Sequence, residues 1–172
     1  MNRRLSRILS LVILLAACSP ALNWRVVQAG GAELKALLPC KPDQGSRRQR
    51  LAGQDIDIHM LGCEAGGALY AVSVAELGAP QRALAVQIQW QAQLLGNMQA
   101  GASSNSAYAI KGAGAQLEPV RLSARGLRPD GRPVAMQGVW FARGTRLYHA
   151  VIYADTISNE QSEPFFGGLE FQ

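Results

Sequence analysis

The chain has 172 residues, with 17 Lys or Arg, 12 Asp or Glu, 48% hydrophobic and 17% charged residues. That balance suits one globular domain and excludes a disordered or fibrous chain. The formal net charge of +5 would point toward nucleic acid, but Arg3, Arg4 and Arg7 crowd the N-terminus and the remaining chain is close to neutral.

Those arginines open the segment MNRRLSRILSLVILLAAC, in which Ile8 to Leu15 is apolar but too short to span a bilayer. A basic start, a short apolar run and small residues before the boundary are the layout of an export signal. The tetrapeptide Leu15-Ala16-Ala17-Cys18 resembles the lipobox of bacterial lipoproteins. The resemblance implies diacylglycerol transfer to the Cys18 sulfur, cleavage before Cys18 and a further acyl chain on the new amino group. Each buried methylene contributes about 0.8 kcal/mol, so one chain binds a membrane reversibly whereas two or three anchor firmly. In the enterobacterial sorting pattern Asp after the cysteine retains the protein in the inner membrane, so Ser19 implies the periplasmic face of the outer membrane. Residues 1–17 are then signal, 18–22 a lipidated tether reaching about 17 Å at most, and 23–172 a single domain. Removal of the signal leaves 155 residues with a formal charge of +2. No nucleic-acid partner is expected, and no second segment is apolar enough to cross a membrane.

With Cys18 acylated, Cys40 and Cys63 are one even pair in an oxidising compartment and are expected to form a disulfide. The alternative, free thiols or half of a metal site, lacks companion His or Cys at zinc-ligand spacing. Glu33 to Leu38 alternates as a first strand, stopped by Pro39-Cys40-Lys41-Pro42. Ser46–Leu51 and Asp55–Leu61 read as the next two strands around a turn at Ala52-Gly53-Gln54. If Leu51 pairs with Gln54 or Asp55, Cys63 falls opposite Pro42 or Asp43, within a few residues of Cys40. The first of these registers also sets Arg50 opposite Asp55 and Arg48 opposite Asp57. The arginines Arg47, Arg48 and Arg50 then look like the charges of a protected sheet edge.

Ala68 to Ala75 is a β-branched strand. Gln81 to Gln99 reads as the main helix, with Leu84, Ile88, Leu95 and Met98 expected on its core side and Trp90 and Leu94 beside them. Gln87, Gln89, Gln91, Gln93 and Asn97 would form its outer face, with no charged residue between Arg82 and Lys111. A small-residue loop, Gly101 to Gly114, leads to strands near Gln116–Ser123, Pro133–Phe141 and Thr145–Tyr153, with turns at Pro129-Asp130-Gly131 and Arg143-Gly144. Ser158 and Gln161 are spaced as a capping box for a short last helix, and Phe165, Phe166 and Phe171 would close the core.

The expected fold is α+β: a largely antiparallel sheet of six to seven strands flanked by one long and one short C-terminal helix. The order, with LLPCKP after the first strand, ALYAVSVAEL before the long helix, the ARGTRLYHAVIY hairpin and the terminal PFFGGLEF, resembles the PsbP-like α/β/α fold over residues 33 to 171. The chain is also similar to proteobacterial lipoproteins of this size, a resemblance that carries over no catalytic or metal residue.

His59 and His149 are the only histidines. His59 with Asp55 and Asp57 would spread over roughly 13 Å along a strand, too far for one ion, so no metal or other cofactor is expected. No Gly-x-Ser-x-Gly frame is present, and the glycines of GCEAGG and KGAGAQ read as turns rather than phosphate loops. The expectation is therefore a protein that is not an enzyme. It would be an interaction or accessory module of an envelope complex, with an envelope protein as partner and the membrane engaged through Cys18. The alternative is a carrier or sensor of a small apolar ligand held between the main helix and the sheet.

Overall fold

A computed structural model describes residues 21–31 and 33–172; the signal segment and Cys18 lie outside the described residues. The strands in chain order are β1 (Arg25–Ala29), β2 (Leu34–Leu38), β3 (Asp43–Leu51), β4 (Gln54–Ala65) and β5 (Ala68–Glu76). A single 3₁₀ turn at Pro80–Arg82 leads into α1 (Ala83–Asn97). Then come β6 (Ser103–Ala107), β7 (Val120–Leu127), β8 (Pro133–Arg143), β9 (Arg146–Ala154), α2 (Asn159–Gly167) and β10 (Glu170–Phe171). The fold is α+β. A seven-stranded antiparallel sheet, ordered β3-β4-β5-β9-β8-β7-β6, carries α1 on one face, and a three-stranded sheet, β1-β2-β10, packs with α2 on the other.

The β3–β4 hairpin has the register that sets Leu51 against Gln54, so Arg48 faces Asp57 and Arg50 faces Asp55. Its turn residues Ala52 and Gly53 both take positive φ, 48° and 77°, as a two-residue hairpin turn matched to strand twist requires. Arg48 donates to both oxygens of Asp57 at 2.7 and 2.9 Å. These pairs are exposed and contribute little to stability; they decorate an edge, since β3 ends the large sheet. Cys40 and Cys63 form a disulfide, Cα atoms 6.0 Å apart, that ties the segment leaving β2 to β4.

Four local readings are corrected. β1 and β10 complete a second sheet around β2, and β6 lies inside the supposed loop between Gly101 and Gly114. β7 runs four residues later than expected. The rotation of α1 differs most. Its buried residues are Ala83, Val86, Gln87 and Trp90, while Leu84 and Ile88 are 56% and 58% exposed. The physical reason is that α1 carries apolar residues on opposite faces with glutamines interleaved between them, so periodicity alone does not choose its inner face.

On the opposite face Tyr70, Phe141, Tyr148, Phe165 and Phe166 are fully buried, and Phe171 closes the cluster. The hydroxyl of Ser158 accepts from the Gln161 N–H while the Gln161 side chain accepts from the Ser158 N–H, a complete capping box for α2. Ser158→Ala should therefore cost about 1 kcal/mol, measured by urea unfolding; an unchanged midpoint would contradict the cap.

Candidate binding cleft

The face of the large sheet beneath α1 is built from alternate strand positions, and its central row runs Met60, Ser73, His149, Trp140. His149 is stacked on Trp140, ring centroids 3.9 Å apart and planes 16° apart, and meets the edge of Trp90 from α1 at 5.3 Å. Its ring leans over Gly138, where a Cβ would lie 2.8 Å from Nε2, so that position needs a glycine for the close approach. Burial, and secondarily the charge of Arg47, push the imidazole down to about 3. His149 is thus a neutral core residue, packed rather than ligating, and Nε2 makes no hydrogen bond within the described residues.

α1 is held at its flank by the glutamines expected to face outward. Gln89 accepts from the Ala52 N–H, Gln93 accepts from Gln49, and Gln93 Nε2 donates to the Arg50 carbonyl at 3.3 Å. Gln87 is buried. What α1 turns to solvent is the row Leu84, Ile88, Ala92 and Gly96, a surface with no charge.

Past Trp90 the helix and sheet diverge. Leu94 of α1, Met98 at its C-cap, Leu69 of β5, Val134 of β8 and Tyr153 of β9 border a cleft of about 340 Å³, at the small end of the roughly 300–1,000 Å³ typical of ligand sites. Arg47 of β3 and Arg128 after β7 also line it, and no carboxylate among the described residues does. Burial pushes the Tyr153 hydroxyl up to about 12, against the opposing pull of Arg47. Arg128 Nη2 pairs with Asp155 at 2.9 Å, whereas its Nε is buried without a partner among the described residues.

A second convergence of charge lies at the other end of β9. Arg146 bonds Glu76 through Nε and Glu33 through Nη1, each at 2.9 Å, and Tyr148 donates to Glu33 at 3.0 Å. Burial, then Glu33, raises the Tyr148 hydroxyl to about 12; burial acts upward on Glu76 too, but Thr145 and Arg146 hold its carboxyl below the ordinary range. His59 borders the same shallow hollow. These groups satisfy one another and brace the β1–β2 turn, since Arg146 also donates to the Gly30 carbonyl at 2.9 Å. Among the described residues no three His, Cys, Asp or Glu stand where they could hold a metal ion.

Arg47 does not belong with the charged edge formed by its neighbours: in the hairpin register Arg48 and Arg50 oppose aspartates, but Arg47 opposes Ile58, on the side turned to α1. Arg128, Trp90 and Tyr153 carry no such mark, because the cleft is assembled from six separate elements.

The sheet with helices on both faces defines an α+β domain with a helix–sheet cleft. No family model and no curated protein matches the chain. Among solved structures it is similar to PA94, a protein of unknown function from Pseudomonas aeruginosa, at 18% identity and a TM-score of 0.40, over 69% of this chain and 89% of that one. At that level the likeness brings no function with it.

Proposed function

We propose that this protein is a lipid-anchored lipoprotein at the periplasmic face of the outer membrane, acting without catalysis as an accessory module that holds another envelope protein. The observation that carries this reading is the outer face of α1. A helix apolar on both sides is normally covered on both sides, and Leu84 and Ile88 stand 56% and 58% exposed on a helix without a single charge. Covering two such side chains would supply a few kcal/mol, about 1.5–3 for each one buried completely. The anchor reading draws support from the lipobox pattern ending at Cys18 and from Leu22, which packs at the Gly66 turn and so starts the domain close to the tether. Among the described residues no helix is long and apolar enough to cross a membrane.

The test is in-cell crosslinking with affinity capture, comparing the native protein with Leu84→Glu/Ile88→Glu and with Cys18→Ser. One specific envelope partner should be captured by the native protein and lost from the double variant, whose melting point should stay near wild type because both sites are exposed. Cys18→Ser should lose fatty-acid labelling and the membrane. Equal capture by the double variant would end the docking reading; labelling that survives Cys18→Ser would end the anchor reading.

The cleft favours a second reading, a carrier or sensor of a small apolar ligand, because it lies between helix and sheet and is walled largely by apolar side chains.

A further inference from the structure

We infer that the helix–sheet cleft takes an anionic amphiphile, an acyl chain headed by a carboxylate or phosphate, with the chain along Leu69, Trp90, Leu94 and Val134 and the head between Arg47 and Arg128. The inference rests on the reading of the cleft as a ligand site and adds the chemistry of the occupant.

Three observations carry it. The cleft is apolar in its body, yet the ionised side chains in its wall are two arginines and no acid. An apolar ligand alone gives no use for a guanidinium there, and a cationic one would be repelled. Second, both arginines have donor capacity to offer. Arg47 forms no ion pair with a described residue, unlike Arg48 and Arg50 on the same strand. Arg128 spends one nitrogen on Asp155 and keeps a buried Nε–H without a partner among the described residues. A buried donor of that kind is costly until an acceptor reaches it, and an oxyanion is the strongest acceptor available.

Third, the cleft lies at the tether end of the domain. Leu69, Arg128 and Tyr153 also border the surface around Gly66 and Gly67, and a side chain at Gly66 would meet Leu22 at 2.9 Å. Four residues from Leu22 to Cys18 reach about 14 Å at most. An acylated Cys18 would hold this end of the domain near the bilayer, where anionic amphiphiles are concentrated. A volume of about 340 Å³ corresponds to about eleven water volumes at about 30 Å³ each, enough for a head and a medium chain.

The probes are decanoate, decyl phosphate, decanol and decyltrimethylammonium, added to the full chain carrying Cys18→Ser, with binding read by calorimetry and by tryptophan emission. Decanoate and decyl phosphate should bind, raise the melting temperature and change the emission, a change that Trp90→Phe removes without removing the calorimetric signal. Arg47→Gln and Arg128→Gln should each weaken decanoate about tenfold or more while their melting temperatures without ligand stay near the parent value. Decanol binding as tightly as decanoate, with both arginine variants unaffected, would overturn the anion assignment and leave the cleft as an apolar site. Failure of all four probes to bind would overturn the cleft reading as well. Vesicles identify the source: co-sedimentation with phosphatidylglycerol but not phosphatidylcholine, lost in the arginine variants, points to a lipid headgroup. Decanoate binding without co-sedimentation points to a free fatty acid.

Discussion

Acidification from pH 6.5 to 4.5 should remove about 2 kcal/mol of stability, with a slope that approaches 1.4 kcal/mol per pH unit once the pH is below the unfolded-state value, and His149→Gln should flatten that slope. His149 is fully enclosed by Trp90, Trp140 and the Gly138 backbone, and burial first, then Arg47, pushes its imidazole down to about 3 from an ordinary 6.5. In the unfolded chain the ring takes up a proton as pH falls through 6.5; in the folded chain it refuses one until about pH 3. The unfolded state therefore binds more protons throughout that window, and stability is complete above it and lost on descending through it. The carboxylates held low by partners, Glu76, Asp57, Asp130 and Glu170, add their losses only as pH falls through the carboxylate range. Urea unfolding at half-unit pH steps, for wild type and His149→Gln, separates the two; parallel curves above pH 5 would show that His149 is not the titrating group.

Reduction of the Cys40–Cys63 disulfide should cost about 3 kcal/mol. The bridge closes a segment whose ends are 23 residues apart in sequence, and loop closure of that length removes roughly this much entropy from the unfolded chain. Native contacts have little reason to change, because Cys63 is already buried beside Tyr70 on the neighbouring strand and Cys40 packs against the same cluster. The double substitution Cys40→Ala/Cys63→Ala should accordingly melt several degrees lower with an unaltered circular dichroism spectrum. A double variant as stable as the oxidised parent would show that the unfolded chain is not what the bridge constrains.

Much of the scaffold was legible locally. The turn at Ala52-Gly53-Gln54 narrows the β3–β4 hairpin to two registers, either of which brings Cys63 back beside the segment holding Cys40, and the structure takes the one that sets Arg48 and Arg50 opposite aspartates. The capping box at Ser158 spans three residues and reads directly. β8 and β9 are long, rich in apolar and aromatic residues, and joined by a two-residue turn. Each of these depends on interactions within a few residues of chain, where period, turn chemistry and capping act.

The short pieces were invisible for the opposite reason. β6 is Ser-Ser-Asn-Ser-Ala with every residue exposed, so it has no alternation to detect and exists because β7 offers an open edge. β10 is two residues whose partner, β2, lies at the other end of the chain.

What the sequence by itself determined is the set of long strands, the hairpin register to within two neighbouring alternatives, the disulfide pair and the α+β class, along with the lipobox pattern on which the anchoring proposal stands. What only the tertiary structure decided is the rotation of α1, and with it both of the surfaces on which the proposals rest. A helix with apolar residues on opposite faces has no preferred inner face until something beneath it chooses. Here the choice is made by Trp90, which packs on the row of His149 and Trp140. That contact turns Leu84 and Ile88 outward and leaves the cleft open between Arg47 and Arg128. Packing of large side chains from distant segments carries the decision, and no window along the chain contains both halves of it.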